Sequence, residues 1–150
     1  DRGMKLGVVL FRNVIGGKEQ ANRLAVDILA LLAKEKSDEI QADIDARVKT
    51  QTASPGSEAA LRRLIGELRL GKPNYDLMSS QMARETRQQL GEEQAAITKL
   101  GALQSLTFKA VGPAGPTIYI AKFEKGSQEW RIWLNLDGSV DIFRYRAFAP

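Results

Sequence analysis

The sequence of 150 residues contains no cysteine and no histidine. Without cysteine the chain has no disulfide, no thiolate nucleophile and no cysteine-based metal site. Without histidine it lacks the commonest general base and the commonest metal ligand, which makes Ser-His-Asp catalysis within this chain impossible. We therefore expect no metal site. We also expect no cofactor, because Arg12 and Glu19 exclude a phosphate-binding loop around Gly16-Gly17-Lys18.

Long apolar runs and clusters of basic residues are missing too. No run of about 18 consecutive apolar residues occurs, so we expect no membrane span. The net charge is +4, but Arg62-Arg63 is the one basic doublet, and the sequence has no block of Lys and Arg. Because nucleic-acid binding requires a clustered basic face, we expect no nucleic-acid partner.

The residues that are present fit one domain of ordinary size with room for an appendage. Apolar residues make up 43% of the chain, which is enough for a core, and the charged fraction of 27% is ordinary. The sequence opens with Asp-Arg-Gly and no initiator Met, so we expect it to be a piece of a longer protein.

The last third of the chain predicts four short strands. They are Leu103–Val111, Thr117–Lys125, Glu129–Leu136 and Ser139–Arg146. Trp130, Ile132, Leu134 and Leu136 alternate with Arg131, Trp133 and Asn135, which is the period of a half-buried strand. Asp137-Gly138 is a strong hairpin signal. We therefore predict an antiparallel meander.

Upstream of the meander the sequence predicts one strand and several helices. The strand is Leu6–Phe11, and we expect it to pair with the meander or with a second copy. The predicted helices are Lys18–Lys36, a second beginning at Ser37 and reaching Val48, a third capped by Ser54 and ended by Gly71, and a fourth from Ser79 to Leu100. The predicted fold class is α+β, with helices packed on a curved, four-stranded or slightly larger antiparallel sheet.

The opening resembles the end of the serine β-lactamase-like family, which includes penicillin-binding proteins and related esterases. The resemblance lies in Gly7–Asn13, Gly16-Gly17 and Leu24–Leu32, which look like the last strand and last helix of that domain. The family's catalytic motifs (Ser-x-x-Lys, Tyr-x-Asn, Lys-Thr-Gly) do not occur in this sequence. The resemblance therefore implies that the catalytic body belongs to a part of the parent protein upstream of this chain.

The rest of the chain resembles the NTF2-like, or cystatin-like, accessory module found after bacterial serine hydrolase domains. The residues concerned are 54–63, 73–76, 100–108 and 129–132. This resemblance implies helices on one curved antiparallel sheet, and a class known for ligand pockets and for dimerisation through the sheet. Combining both resemblances, we expect a hydrolase tail at 1–36, a helical linker at 37–53 and an NTF2-like domain at 54–150.

The resemblances imply two functions. The first is a non-catalytic accessory module that dimerises, stabilises or positions substrate for a β-lactamase-like hydrolase. Its partner would be a second copy or the parent's catalytic domain, in the periplasm or outside the cell. The alternative is a small-molecule-binding or isomerase-type protein with a pocket between helices and sheet.

Asp141, Tyr119 and Tyr145 are the candidates for an isomerase-type site, in which a carboxylate base and a phenol donor act on a bound molecule. Asp141 alternates with Val140 and Ile142, so we expect it to face solvent. We therefore expect this chain to have no catalytic residue of its own, and we keep these three as candidates.

Two further groups of residues are candidates for binding. Glu129 and Arg131 carry groups that bind an anionic or polar ligand, although we favour an ion pair on the outer face of the sheet. Trp133, Phe143, Tyr145 and Phe123 are predicted to share that outer face. Several aromatic side chains on one exposed surface indicate an interface with a partner.

Overall fold

A computed structural model describes residues 18–149 and has the predicted α+β architecture, with helices packed on an open, four-stranded antiparallel sheet. The helices are α1 (Lys18–Thr50), α2 (Ser57–Leu70) and α3 (Ser80–Leu100), with a short 3-10 turn at Tyr75–Leu77. The strands are β1 (Leu103–Val111), β2 (Thr117–Phe123), β3 (Gly126–Leu134) and β4 (Val140–Ala147), and they pair in that order. The meander is confirmed. The predicted strand Leu6–Phe11 lies outside the described residues.

The chain divides into two compact units, residues 1–43 and 44–150. Helix α1 continues without a break through Ser37, so the helix end expected there is wrong. Serine is tolerated inside an exposed helix, and Lys34 and Asp38 form an ion pair of 3.4 Å across one turn at this point. The assignment of 1–36 to a hydrolase tail stays a prediction.

Two of the predicted helix ends form as expected, and a third does not. Helix α3 is capped by the Ser79 hydroxyl, and α2 ends at Gly71, which has a left-handed φ of 74°; both were predicted. The predicted Ser54 cap of α2 is wrong. The Ser54 N–H instead donates to Thr117 Oγ1 at 3.0 Å, and α2 begins after Gly56, whose φ is 78°.

The end of α1 is attached to the turn between β1 and β2, within the second unit. Arg47 Nη1 donates to the Gly115 carbonyl at 3.0 Å. The Gln51 side chain accepts from the Val111 N–H at 2.9 Å and donates to its carbonyl at 3.1 Å. Gly115 has a φ of 96°, and a Cβ there would lie 2.8 Å from the Ile44 side chain. Glycine is therefore required at this contact.

The side of the sheet that faces α2 and α3, called the inner face, carries the core. Trp130 is fully buried on β3 and stacks on Phe143 and Tyr145 of β4, with ring centroids 5.8 and 4.5 Å away. The other buried core side chains include Leu61, Leu64, Ile65, Leu68, Met82, Ile97, Tyr119, Phe123 and Ile132. Trp130 and Ile132 thus face the helices as predicted.

The outward positions predicted for Phe143, Tyr145 and Phe123 are wrong. Phe123 and Phe143 are each 2% exposed and belong to the core. The cause in β4 is a bulge: Trp133 pairs with Ile142 but Leu134 pairs with Val140, which leaves residue 141 as an extra residue. The extra residue reverses the alternation, so Val140 and Phe143 both point inward.

Candidate functional site

The three catalytic candidates lie in different environments. Tyr119 is 3% exposed, and its hydroxyl lies 2.8 Å from Ser57 Oγ in a buried hydrogen bond. Burial raises the pKa of Tyr119, and this hydrogen bond opposes the rise. Tyr145 is half-buried on the inner face. Asp141 is the bulge residue, and its carbonyl accepts a hydrogen bond of 2.8 Å from Ser79 Oγ.

The sheet keeps Asp141 apart from both tyrosines. Strand β3 lies between Tyr119 on β2 and Asp141 on β4, which corresponds to about 10 Å across the sheet. Tyr145 lies farther along the same strand as Asp141, at about 13 Å. The structure therefore does not assemble a carboxylate and phenol pair from these residues.

Glu129 is the most heavily paired charge on the outer face of the sheet. It is 1% exposed. Lys109 Nζ lies 2.6 Å from Oε1, while Arg146 Nη2 and Arg131 Nη2 lie 2.8 and 3.5 Å from Oε2. The Lys109 hydrogen bond, with the two contacts from Arg146, lowers the pKa of Glu129 although burial opposes this. The carboxylate thereby connects β1, β3 and β4, and the expected pair with Arg131 is present but is the longest of the three. Ligand binding by Glu129 and Arg131 stays a prediction.

Trp133 is the member of the predicted aromatic surface that does lie on the outer face. It is half-buried and pairs across the sheet with Ile142, which is also half-buried. Its indole Nε1 donates to the Ala114 carbonyl at 3.3 Å. Trp133 and Ile142 therefore form an apolar pair on the outer face, next to the basic residues around Glu129. The use of this face as an interface stays a prediction.

A second polar site lies between α3 and β4, built around a glutamate that was not among the predicted candidates. A depression there, which we call the Glu93 depression, is lined by Met82, Glu85, Gln89 and Glu93 of α3 and by residues 143–145 of β4. Glu93 is 5% exposed. Its Oε2 atom is buried and has no hydrogen-bond partner among the described residues. Buried carboxyl groups in proteins are nearly always paired, so this one requires an explanation.

The electrostatics of the Glu93 depression follow from burial and from two neighbours. Burial raises the pKa of Glu93 from 4.5 to about 7; Arg144 opposes the rise and Glu85 adds to it. Arg144 Nη2 forms an ion pair of 3.3 Å with Glu85, and its Nη1 donates to the Phe143 carbonyl at 2.8 Å. Burial, Glu93 and Glu92 raise the pKa of Tyr145. Glu93 therefore exchanges its proton near neutral pH, beside a phenol that stays protonated.

One signal in the sequence points to Glu93. Met82, Thr86, Leu90, Ile97 and Leu100 recur at helical spacing along α3. Glu93 follows Leu90 by three positions and precedes Ile97 by four, so it lies on the same face of the helix. An ionisable residue on an apolar face was the available signal, and Phe143 and Tyr145 were the neighbours already selected as candidates.

Comparison with known proteins finds no matching family model, no matching curated protein and no matching solved structure. The resemblances to β-lactamase-like hydrolases and to NTF2-like modules stay predictions. No helix within residues 18–149 is long and apolar enough to cross a membrane. Over the same range, no cluster of three or more acidic side chains is arranged to hold a metal ion.

Proposed function

We propose that the chain is a non-catalytic interaction module of a larger β-lactamase-like serine hydrolase, acting in dimerisation, stabilisation or substrate positioning. The observation that carries this proposal is the filled interior between helices and sheet. Leu61, Leu64 and Ile65 of α2 meet Trp130 and Ile132 of β3 there, all at most 1% exposed. An interior filled in this way has no room for a substrate next to the candidate tyrosines. A module that only binds partners does not need such room.

Helix α1 supports the proposal independently. From Leu24 to Ala33 every residue except Asp27 is apolar, and Leu29 and Leu31 are 65% and 62% exposed. A helix that is apolar all round is typical of a protein interior. Burying one such leucine contributes about 2 kcal/mol. We therefore propose that a partner, either a second copy or the parent's catalytic domain, covers this segment.

The outer face of the sheet supports the same function through Trp133 and Ile142. Paired, half-buried apolar residues beside charged ones are typical of the centre and rim of an interface. Aromatic residues at such positions often dominate the binding energy. We propose that this face contributes to the contact with a second copy.

Sedimentation equilibrium of the full chain tests the dimer. We expect a concentration-dependent mass above that of the monomer. Leu29→Glu and Trp133→Lys should each weaken association by about tenfold, because each places a charge inside the proposed contact. Thr107→Lys is the matched control, since it adds a charge to an exposed position of the same sheet face. A chain that stays monomeric would refute the dimer, and two variants that associate as the wild type does would refute these two contact surfaces.

The alternative function, small-molecule binding, is favoured by one specific observation. The Glu93 depression lies between a helix and the sheet, contains a buried carboxyl group without a partner, and includes the candidate Tyr145. Perturbed carboxyl groups in concave sites are typical of functional sites. We propose this depression, and not the filled interior, as the place where the chain would bind a small molecule.

A further inference from the structure

The carboxyl group of Glu93 has an unusual combination of properties. It is 5% exposed, it lines a depression that opens between α3 and β4, and its Oε2 has no hydrogen-bond partner among residues 18–149. The ordinary ways to satisfy such a group are a cation or a hydrogen-bond donor within the protein. Arg144 is the nearby cation, but its guanidinium contacts Glu85 and the Phe143 carbonyl.

We propose that the Glu93 depression binds a small molecule that carries an ammonium group next to an apolar or aromatic body. This inference deepens the alternative function, small-molecule binding, and is independent of the proposed interface. The Glu93 carboxylate would accept hydrogen bonds from the ammonium group. Glu85 and the Gln89 side-chain carbonyl would supply further acceptors at the same depression.

The charges around the depression select a cation. Two carboxyl groups, Glu85 and Glu93, face one guanidinium, that of Arg144. With Glu93 ionised, these three groups together carry a net charge of −1. An ammonium group brings this net charge to zero. An anion would meet an unpaired carboxylate, which is unfavourable in a partly desolvated site.

The remaining lining residues select the body of the ligand. Tyr145 is half-buried and adds an aromatic ring, while Met82 and Phe143, at 3% and 2% exposed, form the apolar floor of the depression. Aromatic rings attract ammonium groups through the cation–π interaction, and methionine packs well against irregular apolar groups. A bare metal ion would find two carboxyl groups here, and no cluster of three metal-ligating side chains occurs among residues 18–149. An amine with a short apolar or aromatic body fits the whole lining.

Binding of this kind must be coupled to the protonation of Glu93. The pKa of Glu93 is about 7 in the free protein, and an ammonium ligand favours the ionised form. The other ionisable groups facing the depression are Glu85 on α3 and Arg144 and Tyr145 on β4. Tyr145 remains neutral near pH 7, because burial raises its pKa above the ordinary value of 10.0. Affinity should therefore rise by about tenfold between pH 6 and pH 8, following the ionised fraction of Glu93.

The test is a titration of the isotope-labelled full chain, followed by amide correlation NMR. The probes are benzylammonium, its neutral counterpart benzyl alcohol, and benzoate. We expect benzylammonium to shift the amide signals of Met82, Glu93 and Tyr145, with the pH dependence given above. We expect benzyl alcohol to bind about tenfold more weakly because it lacks a charge-assisted hydrogen bond, and benzoate not to bind.

Two variants complete the design. Glu93→Gln keeps the shape of the side chain and removes its charge, so benzylammonium binding should weaken by about tenfold and lose its pH dependence. Glu92→Gln is the matched control: Glu92 is exposed at the adjacent position of α3 and acts on Tyr145 only through its charge, so its removal should weaken binding far less than Glu93→Gln does and should keep the pH dependence. Should Glu93→Gln fail to fold, the pH dependence in the wild type still decides.

The possible failures are distinguishable. Equal binding of benzylammonium and benzyl alcohol at these signals would overturn the cation inference and leave the small-molecule site standing. Absence of shifts with all three probes would overturn both. Neither result affects the partner proposal, which is measured by sedimentation.

Discussion

The burial of Glu93 predicts that the stability of the chain depends on pH in an unusual direction. In the folded chain the pKa of Glu93 is raised from 4.5 to about 7, so the folded state holds this proton more tightly than the unfolded state. The stabilisation from the protonated form is complete below pH 4.5, and it is lost as the pH rises through about 7. Glu93→Gln removes the titration while keeping the side chain's size.

The magnitude follows from the two pKa values. One pKa unit corresponds to about 1.4 kcal/mol, so the difference between 4.5 and about 7 is worth about 3 kcal/mol. At pH 5, which is still above the unfolded-state pKa of 4.5, Glu93→Gln should be more stable than the wild type by less than about 1 kcal/mol. At pH 9 the variant should be more stable than the wild type by up to about 3 kcal/mol.

Urea unfolding between pH 5 and pH 9 measures this, with the fluorescence of Trp130 and Trp133 as the signal. The informative quantity is the difference between wild type and variant at each pH, because all other titrating groups cancel. Glu92→Gln is the control and should show a difference that does not change with pH. Parallel profiles for wild type and Glu93→Gln would show that Glu93 is solvated in the folded chain, and the reasoning about its burial would fail.

Three further predictions concern stability. Glu129→Gln should lower the free energy of unfolding in urea by about 2 kcal/mol at pH 7. Because the pKa of Glu129 is lowered in the folded chain, this loss should shrink as the pH falls below 4.5. A loss that is constant down to pH 2 would contradict the ion pairs. Gly115→Ala should lower stability by about 2 kcal/mol, since it adds a steric clash to an unfavourable φ. Gly138→Ala, where nothing lies within 4 Å of the new Cβ, should lower stability by about 1 kcal/mol. Equal melting temperatures for the Gly115→Ala and Gly138→Ala variants would therefore refute the clash at Gly115. Tyr119→Phe should cost about 1 kcal/mol by leaving Ser57 Oγ unpaired, and a double-mutant cycle with Ser57→Ala should recover that coupling.

The sheet was predictable from its turns. Asp137-Gly138 and the glycines and prolines of residues 112–116 separate apolar runs of strand length, and these signals are local. The cap at Ser79 and the stop at Gly71 were predictable for the same reason, because each depends on one residue and its nearest backbone.

The arrangement of side chains in β4 was not predictable. A simple alternation from Val140 puts Phe143 outside, and nothing in the residue types announces the bulge at Asp141. The Glu93 depression was missed for a related reason. It forms where α3 meets an edge strand far along the chain, and the packing between them decides whether a glutamate on a helix is solvated or buried.

The bulge has a consequence for changes in chain length. Insertions in the exposed turn at Asp137-Gly138 lengthen a loop and leave the strand that follows in phase. Deleting Asp141 would remove the bulge and leave Val140 opposite Leu134 and Ile142 opposite Trp133, so Phe143 would keep its inward position. The hairpin therefore tolerates growth at its tip and loss of its bulge residue, whereas a single-residue deletion farther along, in the regularly paired part of β4, would turn the residues after it to the other face.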